Sequence, residues 1–173
     1  CKKISVRSIM TSSDLPSGSD RAYFATRDLA ADLILNIQGD EPLISPEILN
    51  VLVEPFQGDS SLAMATLGRT VQPGDLESSN TAKIVLNKAG EAIYFSRLPI
   101  PHSRGLLLGQ EFCLKHIGIY AYRKEFLKTY CAEKPCAIEI AEGLEQLRAL
   151  YLGARIKVVK VDHESWGVDS PED

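Results

Sequence analysis

The chain has 173 residues, of which 45% are hydrophobic and 24% are charged, and this composition suits one folded domain with a sizeable core. Its formal net charge of −4 argues against a nucleic-acid-binding protein, which normally carries a basic surface. No apolar run approaches 18 residues and no signal-like segment leads the chain, so the sequence predicts a single cytoplasmic domain over residues 1–173 with no membrane insertion.

The first half of the chain alternates between strand and helix patterns. Strands are predicted over residues 4–10, 33–38, 62–67, 83–86 and 92–96. Helices are predicted over residues 20–30 and 46–53, the second with Pro46 at its first position. The polar, glycine-containing segment 87–91 predicts a hairpin between the last two strands.

The second half continues this alternation. It predicts a strand over 114–122, a helix over 124–130, a long helix over 138–152 and a strand over 156–161. Apolar residues recur at three- and four-residue spacing along the long helix, and Gly153 marks its end. Such alternation predicts an α/β fold with a mainly parallel sheet covered by helices, and the hairpin forms an inserted antiparallel region.

The four cysteines show neither the spacing of zinc ligands nor the density of a disulfide scaffold. They are Cys1, Cys113, Cys131 and Cys136. We expect free thiols in a reducing compartment.

Two aspartates follow predicted strands. Asp40 follows the strand at 33–38 after a single glycine, and Asp169 follows the strand at 156–161. Open α/β sheets bind ligands outside the carboxyl ends of their strands, and Mg²⁺ is usually held by one or two carboxylates together with substrate phosphates. The pair therefore predicts a magnesium site over a phosphate, with two ordinary surface-loop aspartates as the alternative.

A loop of small residues over 14–21 joins a predicted strand to a predicted helix. Such a loop brings backbone N–H groups close to a ligand at a helix N-terminus. Alternatively it is an ordinary turn, with Ser19 or Asp20 as the helix cap.

Three further groups of polar residues complete the candidate site. His116, Gly118, Tyr120 and Tyr122 share one face of a predicted strand and offer hydrogen bonds to a polyol, although a lone strand histidine is often structural. Glu142, Glu145 and Gln146 cluster on the predicted long helix, where a solvated face is the alternative. Arg97 and Arg104 flank residues 98–102, and arginine suits a bidentate grip on a carboxylate.

Five stretches together resemble the 3-deoxy-manno-octulosonate cytidylyltransferases, also called CMP-Kdo synthetases. They are LNIQGDEP at 35–42, YFSR at 94–97, HIGIY at 116–120, LEQLR at 144–148 and GVDSPED at 167–173. The resemblance implies a Rossmann-like nucleotidyltransferase sheet with helices on both faces. It also implies transfer of CMP from CTP to 3-deoxy-D-manno-octulosonate (Kdo), with release of pyrophosphate, for lipopolysaccharide synthesis.

The resemblance also implies roles for individual residues. Asp40 and Asp169 would be the catalytic residues that hold Mg²⁺ against the CTP phosphates. The residues that would line the Kdo site are Gln38, Arg97, Arg104, His116, Tyr120, Glu145 and Gln146, with the arginines facing the sugar-acid carboxylate. Ser17 and Gly18, with Arg21, would lie by the cytidine. A homodimer would form through the region 94–104.

Three departures from the family pattern stand out. The family begins with a strand and a phosphate loop, which binds the triphosphate. This N-terminal segment of about 70 residues has no counterpart here. We therefore expect a chain without its phosphate-loop segment and C-terminal helix, and with weak or no turnover by itself. The family's Asp-His-x-Ser-Gly-Thr stands as DLPSGS at 14–19, and its Ser/Thr-Pro pair stands as Cys136 and Ala137.

Three competing interpretations remain. A sialic-acid type cytidylyltransferase shares the fold and the metal chemistry. A non-catalytic remnant that binds a sugar acid or dimerises fits the absent phosphate loop. A metal-dependent phosphohydrolase would need a larger cluster of carboxylates or histidines for a two-metal site.

Overall fold

The structure, a computed structural model, describes residues 6–39, 44–72, 74–102 and 113–162. The helices in these ranges are α1 (Gly18–Thr26), α2 (Pro46–Val53), α3 (Pro55–Gly58), α4 (Lys124–Ala132), α5 (Ala137–Glu142) and α6 (Leu147–Tyr151). The strands are β1 (Leu33–Asn36), β2 (Met64–Thr70), β3 (Lys83–Leu86), β4 (Ala92–Ser96), β5 (Cys113–Arg123) and β6 (Ile156–Lys160).

All six strands form one sheet in the order β4-β3-β5-β2-β6, with β1 beside β5. The long strand β5 pairs with β2 along one edge, and with β3 and then β1 along the other. The α/β class is confirmed, but mainly parallel pairing is not: among the described strands only β2 and β6 pair in parallel. The difference arises because β5 runs against its three neighbours, although β1, β2, β3 and β6 all point the same way.

Helices cover both faces of this sheet, as predicted. On one face α1, α4, α5 and α6 pack over a core that includes Tyr122 and Tyr130. On the other face α2 and α3 pack over a core that includes Leu52 and Ala121. Since successive residues of β5 point to opposite faces, this one strand contributes to both cores.

Several local predictions are confirmed and others need correction. The hairpin strands and the helix at 46–53 have the predicted bounds. The helix predicted at 20–30 begins earlier, because Ser17 is its cap and accepts a hydrogen bond from the backbone N–H of Asp20. Residues 6–10 form no strand, and Val6 and Met10 are exposed, since no described strand edge pairs with them.

The long helix predicted over 138–152 is wrong, because it is broken into α5 and α6. Gly143 ends α5 in the left-handed region, with φ +62°, a conformation that glycine adopts without steric cost. Its backbone N–H still bonds to the carbonyl of Glu139. The apolar periodicity continues past the break because both helices face the same core, and Gly153 ends α6 as predicted, with φ +78°.

The thiols of Cys113, Cys131 and Cys136 are free, as predicted, whereas Cys1 lies outside the described residues. None of the helices in the described part of the chain has the length and apolar character needed to cross a membrane.

Candidate functional site

Four of the predicted site residues, namely Gln38, His116, Tyr120 and Gln146, gather at the middle of β5, beside the strand edge that β1 and β3 share. On this edge β3 pairs with the first residues of β5 and β1 pairs with its last four, which leaves the middle of the strand between them. The predicted common face of the strand is confirmed by aromatic contacts. The rings of His116 and Tyr120 lie 5.4 Å apart, and those of Tyr120 and Tyr122 lie 5.8 Å apart.

Gln38 joins this strand to the start of α1. A Cβ atom on Gly18 would lie 3.2 Å from Nε2 of Gln38, and one on Gly118 would lie 3.8 Å from its Cγ. Both glycines therefore leave room for the Gln38 side chain. Gln38 follows β1, so the carboxyl end of β1, the N-terminus of α1 and the middle of β5 meet at this point.

A chain of hydrogen bonds links the helix break to β5. The Tyr120 hydroxyl donates to Oε1 of Gln146 over 3.1 Å, and Nε2 of Gln146 lies 3.5 Å from Nδ1 of His116. Burial raises the pKa of the Tyr120 phenol, which keeps it a donor. Burial also lowers the pKa of the His116 imidazole to about 3, so the ring is neutral at physiological pH.

Glu145 lies beside Gln146 in the same break, against the start of α1. Burial raises the pKa of its carboxyl, while the nearby hydroxyls of Ser17 and Ser19 oppose this change. Its Oε2 atom is buried and has no hydrogen-bond partner among the described residues. The Tyr130 hydroxyl donates to the Glu145 carbonyl over 2.8 Å, which holds the backbone of the break in place.

Three buried polar residues complete the site and were not predicted as site residues from the sequence. They are Ser19, Asn36 and Thr66. Ser19 and Tyr122 share a hydrogen bond of 2.9 Å between their hydroxyls, and Nδ2 of Asn36 donates to the Ser19 Oγ over 3.4 Å. Thr66 on β2 lies 3.0 Å from Nε2 of His116. Asn36 and Thr66 could have been predicted as site residues, because each is a polar residue within a mostly apolar strand.

Comparison with known proteins identifies the family. The family model described as cytidylyltransferase matches residues 1–156. The chain is 51% identical to the 3-deoxy-manno-octulosonate cytidylyltransferase of Bdellovibrio bacteriovorus, over 98% of this chain and 70% of that relative. The chain belongs to the 3-deoxy-manno-octulosonate cytidylyltransferases. The resemblance stated from the five sequence motifs is thereby confirmed.

Two further proteins of this cytidylyltransferase family are also similar to the chain. The Trichlorobacter lovleyi 3-deoxy-manno-octulosonate cytidylyltransferase is 44% identical over 99% of this chain and 72% of its own. The solved structure of a CMP:2-keto-3-deoxy-manno-octonic acid synthetase in complex with CTP has a TM-score of 0.91. It is 37% identical and covers 99% of this chain and 70% of its own, so the α/β nucleotidyltransferase architecture is shared.

In this cytidylyltransferase the structure ties two of the predicted arginines to the backbone. Arg21 donates to the side chain of Thr11 and to the carbonyls of Ser12 and Leu15, and so holds the loop before α1. Arg97 donates to the carbonyls of three other residues. These are Glu142 at 2.9 Å, Ser79 at 3.0 Å and Gly143 at 3.3 Å. Arg97 thus holds the backbone at the break between α5 and α6, and its role toward a substrate carboxylate stays a prediction.

The remaining predicted residues, Asp40, Arg104 and Asp169, lie outside the described residues. Across 6–39, 44–72, 74–102 and 113–162, no three His, Cys, Asp or Glu side chains are grouped so as to hold a metal ion. Among the described strands, β1 and β6 point the same way, so their carboxyl ends lie at the same end of the sheet.

Proposed function

We propose that this chain transfers CMP from CTP to the anomeric hydroxyl of Kdo and releases pyrophosphate, in the cytoplasm, as a step of lipopolysaccharide synthesis. One observation carries the proposal: the cluster of Gln38, His116, Tyr120 and Gln146, which lies at the middle of β5 where β1 ends. Uncharged donors and acceptors held in fixed positions suit recognition of a polyol. The names of the family members cited above support the choice of CTP and Kdo as substrates.

The proposed roles divide the site between the two substrates. The polar cluster, together with Glu145, binds the hydroxyls of Kdo. Arg97 and Arg104 face its carboxylate. Ser17 and Gly18, in the loop that Arg21 holds, lie by the cytidine.

Mg²⁺ is the proposed cofactor, held by Asp40 and Asp169. Carboxylate oxygens are the ligands this ion prefers, and it usually keeps substrate phosphates as further ligands. When bound, the ion neutralises charge on the CTP phosphates. The residues of the chain would accelerate the reaction by holding the sugar hydroxyl in line with the α-phosphate, and no covalent nucleophile is needed.

Pyrophosphate release with CTP and Mg²⁺ tests this function. Because we expect weak or no turnover from residues 1–173 by themselves, the assay uses this chain with a phosphate-loop segment of the family joined before it, and we expect release with Kdo and not with sialic acid. Gln146→Leu removes a buried amide of the cluster and should lower kcat/KM for Kdo about tenfold or more, the effect of losing one net hydrogen bond. Gln57→Leu, on the exposed surface of α3, is the matched control and should leave kcat/KM unchanged.

Two outcomes would contradict parts of this proposal. Release with sialic acid and not with Kdo would make the chain a sialic-acid type enzyme. Release that survives Asp40→Ala would remove Asp40 from the metal site.

We also propose that two copies of the chain form a homodimer through the region 94–104, which begins in β4. Among the described strands β4 forms one edge of the sheet, and the side chains of Ile93 and Leu98 near it are exposed. A strand edge with exposed apolar side chains is favourable for pairing with a second chain.

A further inference from the structure

Thr66 is a fully buried polar residue in the middle of β2, and none of the proposed roles uses it. The pairing between β2 and β5 changes register directly after Thr66. This change leaves Gly118 and Ile119 of β5 without partners on β2. Thr66 therefore lies where β5 departs from regular pairing, directly behind the polar cluster of the site.

Three polar atoms surround the Thr66 hydroxyl. Its Oγ1 lies 2.9 Å from the carbonyl oxygen of Ile119, 3.3 Å from that of Ile117 and 3.0 Å from Nε2 of His116. A carbonyl oxygen can only accept, and without the hydroxyl proton the Ile119 oxygen at 2.9 Å would face a lone pair of Oγ1, so the proton is donated to the backbone. Oγ1 is then an acceptor toward His116, and Nε2 of the imidazole must carry a proton.

The other side of the imidazole agrees with this assignment. With the proton on Nε2, Nδ1 of the neutral ring has a lone pair that accepts from the Gln146 amide nitrogen. The Gln146 oxygen already accepts from Tyr120, so the amide can present only its N–H side to the ring. Each group therefore donates to the next one along the chain of hydrogen bonds. Tyr120 donates to Gln146, Gln146 to His116 and His116 to Thr66, and Thr66 donates to the backbone of β5.

We propose that Thr66 is a positioning residue, which holds His116 as the neutral Nε2–H tautomer and thereby fixes the orientation of the Gln146 amide. Both ring nitrogens are then committed within the protein, and His116 does not take up the proton of the sugar hydroxyl. One N–H of Gln146 remains for an oxygen of the substrate. This last consequence rests on the proposed function, whereas the tautomer does not.

Nitrogen NMR of the imidazole tests the tautomer directly. The protein contains three histidines, so a ¹⁵N-histidine-labelled sample shows few signals, and His102→Gln and His163→Gln assign the remaining one. At neutral pH we expect His116 to show a protonated Nε2 and an unprotonated Nδ1. An Nδ1–H pattern, or an even mixture of the two tautomers, would overturn the proposal without any variant of Thr66.

Substitution of Thr66 tests its part in the assignment. Thr66→Val keeps the side-chain shape but offers Nε2–H no acceptor, so we expect the single-tautomer pattern to be lost. Thr66→Ser keeps the hydroxyl and should keep the pattern. Thr70→Val, the same change four residues along β2, is the matched control and should leave the His116 signals unchanged. A single Nε2–H pattern in a folded Thr66→Val protein would contradict the role of Thr66.

Kinetics provide the second measurement. In Thr66→Val we expect KM for the sugar acid to rise about tenfold, the effect of one misdirected hydrogen bond, with KM for CTP unchanged and with rescue by Thr66→Ser. An unchanged KM for the sugar acid would rule out the positioning role. Absence of turnover in the parent that carries the phosphate-loop segment would count against the proposed function instead, and the NMR result would still decide the tautomer.

Discussion

At the level of a single residue, the Glu145 carboxyl lowers the stability of the folded protein. It is buried against the hydroxyls of Ser17 and Ser19, and burial raises its pKa above the ordinary value. A carboxyl whose pKa is raised by folding binds more protons in the folded than in the unfolded state. The free energy of unfolding therefore falls as the pH rises above the unfolded pKa of about 4.3. Keeping a charge at this position thus lowers stability at neutral pH, as is common in functional sites.

Glu145→Gln should therefore stabilise the protein at neutral pH, because it removes the buried charge while keeping the shape of the side chain. We expect its melting temperature to exceed that of the parent near pH 7, and the difference to shrink as the pH falls toward about 4.3. Glu77→Gln, at an exposed position, is the control and should show no such trend. Thermal unfolding measured across this pH range decides the matter, and a destabilised Glu145→Gln at pH 7 would contradict the account.

At the level of secondary structure, the break between α5 and α6 creates much of the site. The Glu139 carboxylate and the Arg148 guanidinium form a buried pair across it, with Nε to Oε2 at 2.8 Å, and Gly143 gives the chain its turn. The sequence predicted the apolar face of both helices, because that face depends on local spacing alone. It did not predict the break, since a single glycine in a periodic pattern is also compatible with a continuous helix.

Gly143→Ala tests whether the break serves the site. A side chain at φ +62° costs about 1 kcal/mol, although the new Cβ would have room, 3.8 Å from Nε of Arg97. We expect this loss in the free energy of unfolding, together with a fall in kcat/KM for Kdo, because Glu145 and Gln146 follow the turn directly. Gly153→Ala meets the same strain at φ +78°, away from these residues. Denaturant unfolding should show similar losses in the free energy of unfolding for both variants. If kcat/KM for Kdo were as high in Gly143→Ala as in Gly153→Ala, activity would not depend on the break.

At the level of the whole molecule, the parts of the site that the sequence predicted are those that depend on one element. The shared face of His116 and Tyr120 follows from the two-residue period of a strand. The approach of the Gln38 side chain to Gly18 and the bond of Thr66 to His116 join segments far apart in the chain, and no local pattern encodes them. For the same reason the antiparallel course of β5 between β1, β2 and β3 was not predicted, because alternating elements alone are equally compatible with parallel pairing.

The proposed homodimer can be tested at the β4 edge. The Ile93 side chain on β4 is 56% exposed, and a lysine there would place a charge inside a contact between two copies, where its desolvation is unfavourable. We expect light scattering to give twice the chain mass of 19.0 kDa for the parent and a shift toward a single chain for Ile93→Lys. Leu29→Lys, 41% exposed and outside the β4 region, should leave the mass of the parent unchanged. An unaltered dimer of Ile93→Lys would place the interface on another surface, whereas a monomeric parent would exclude the dimer itself.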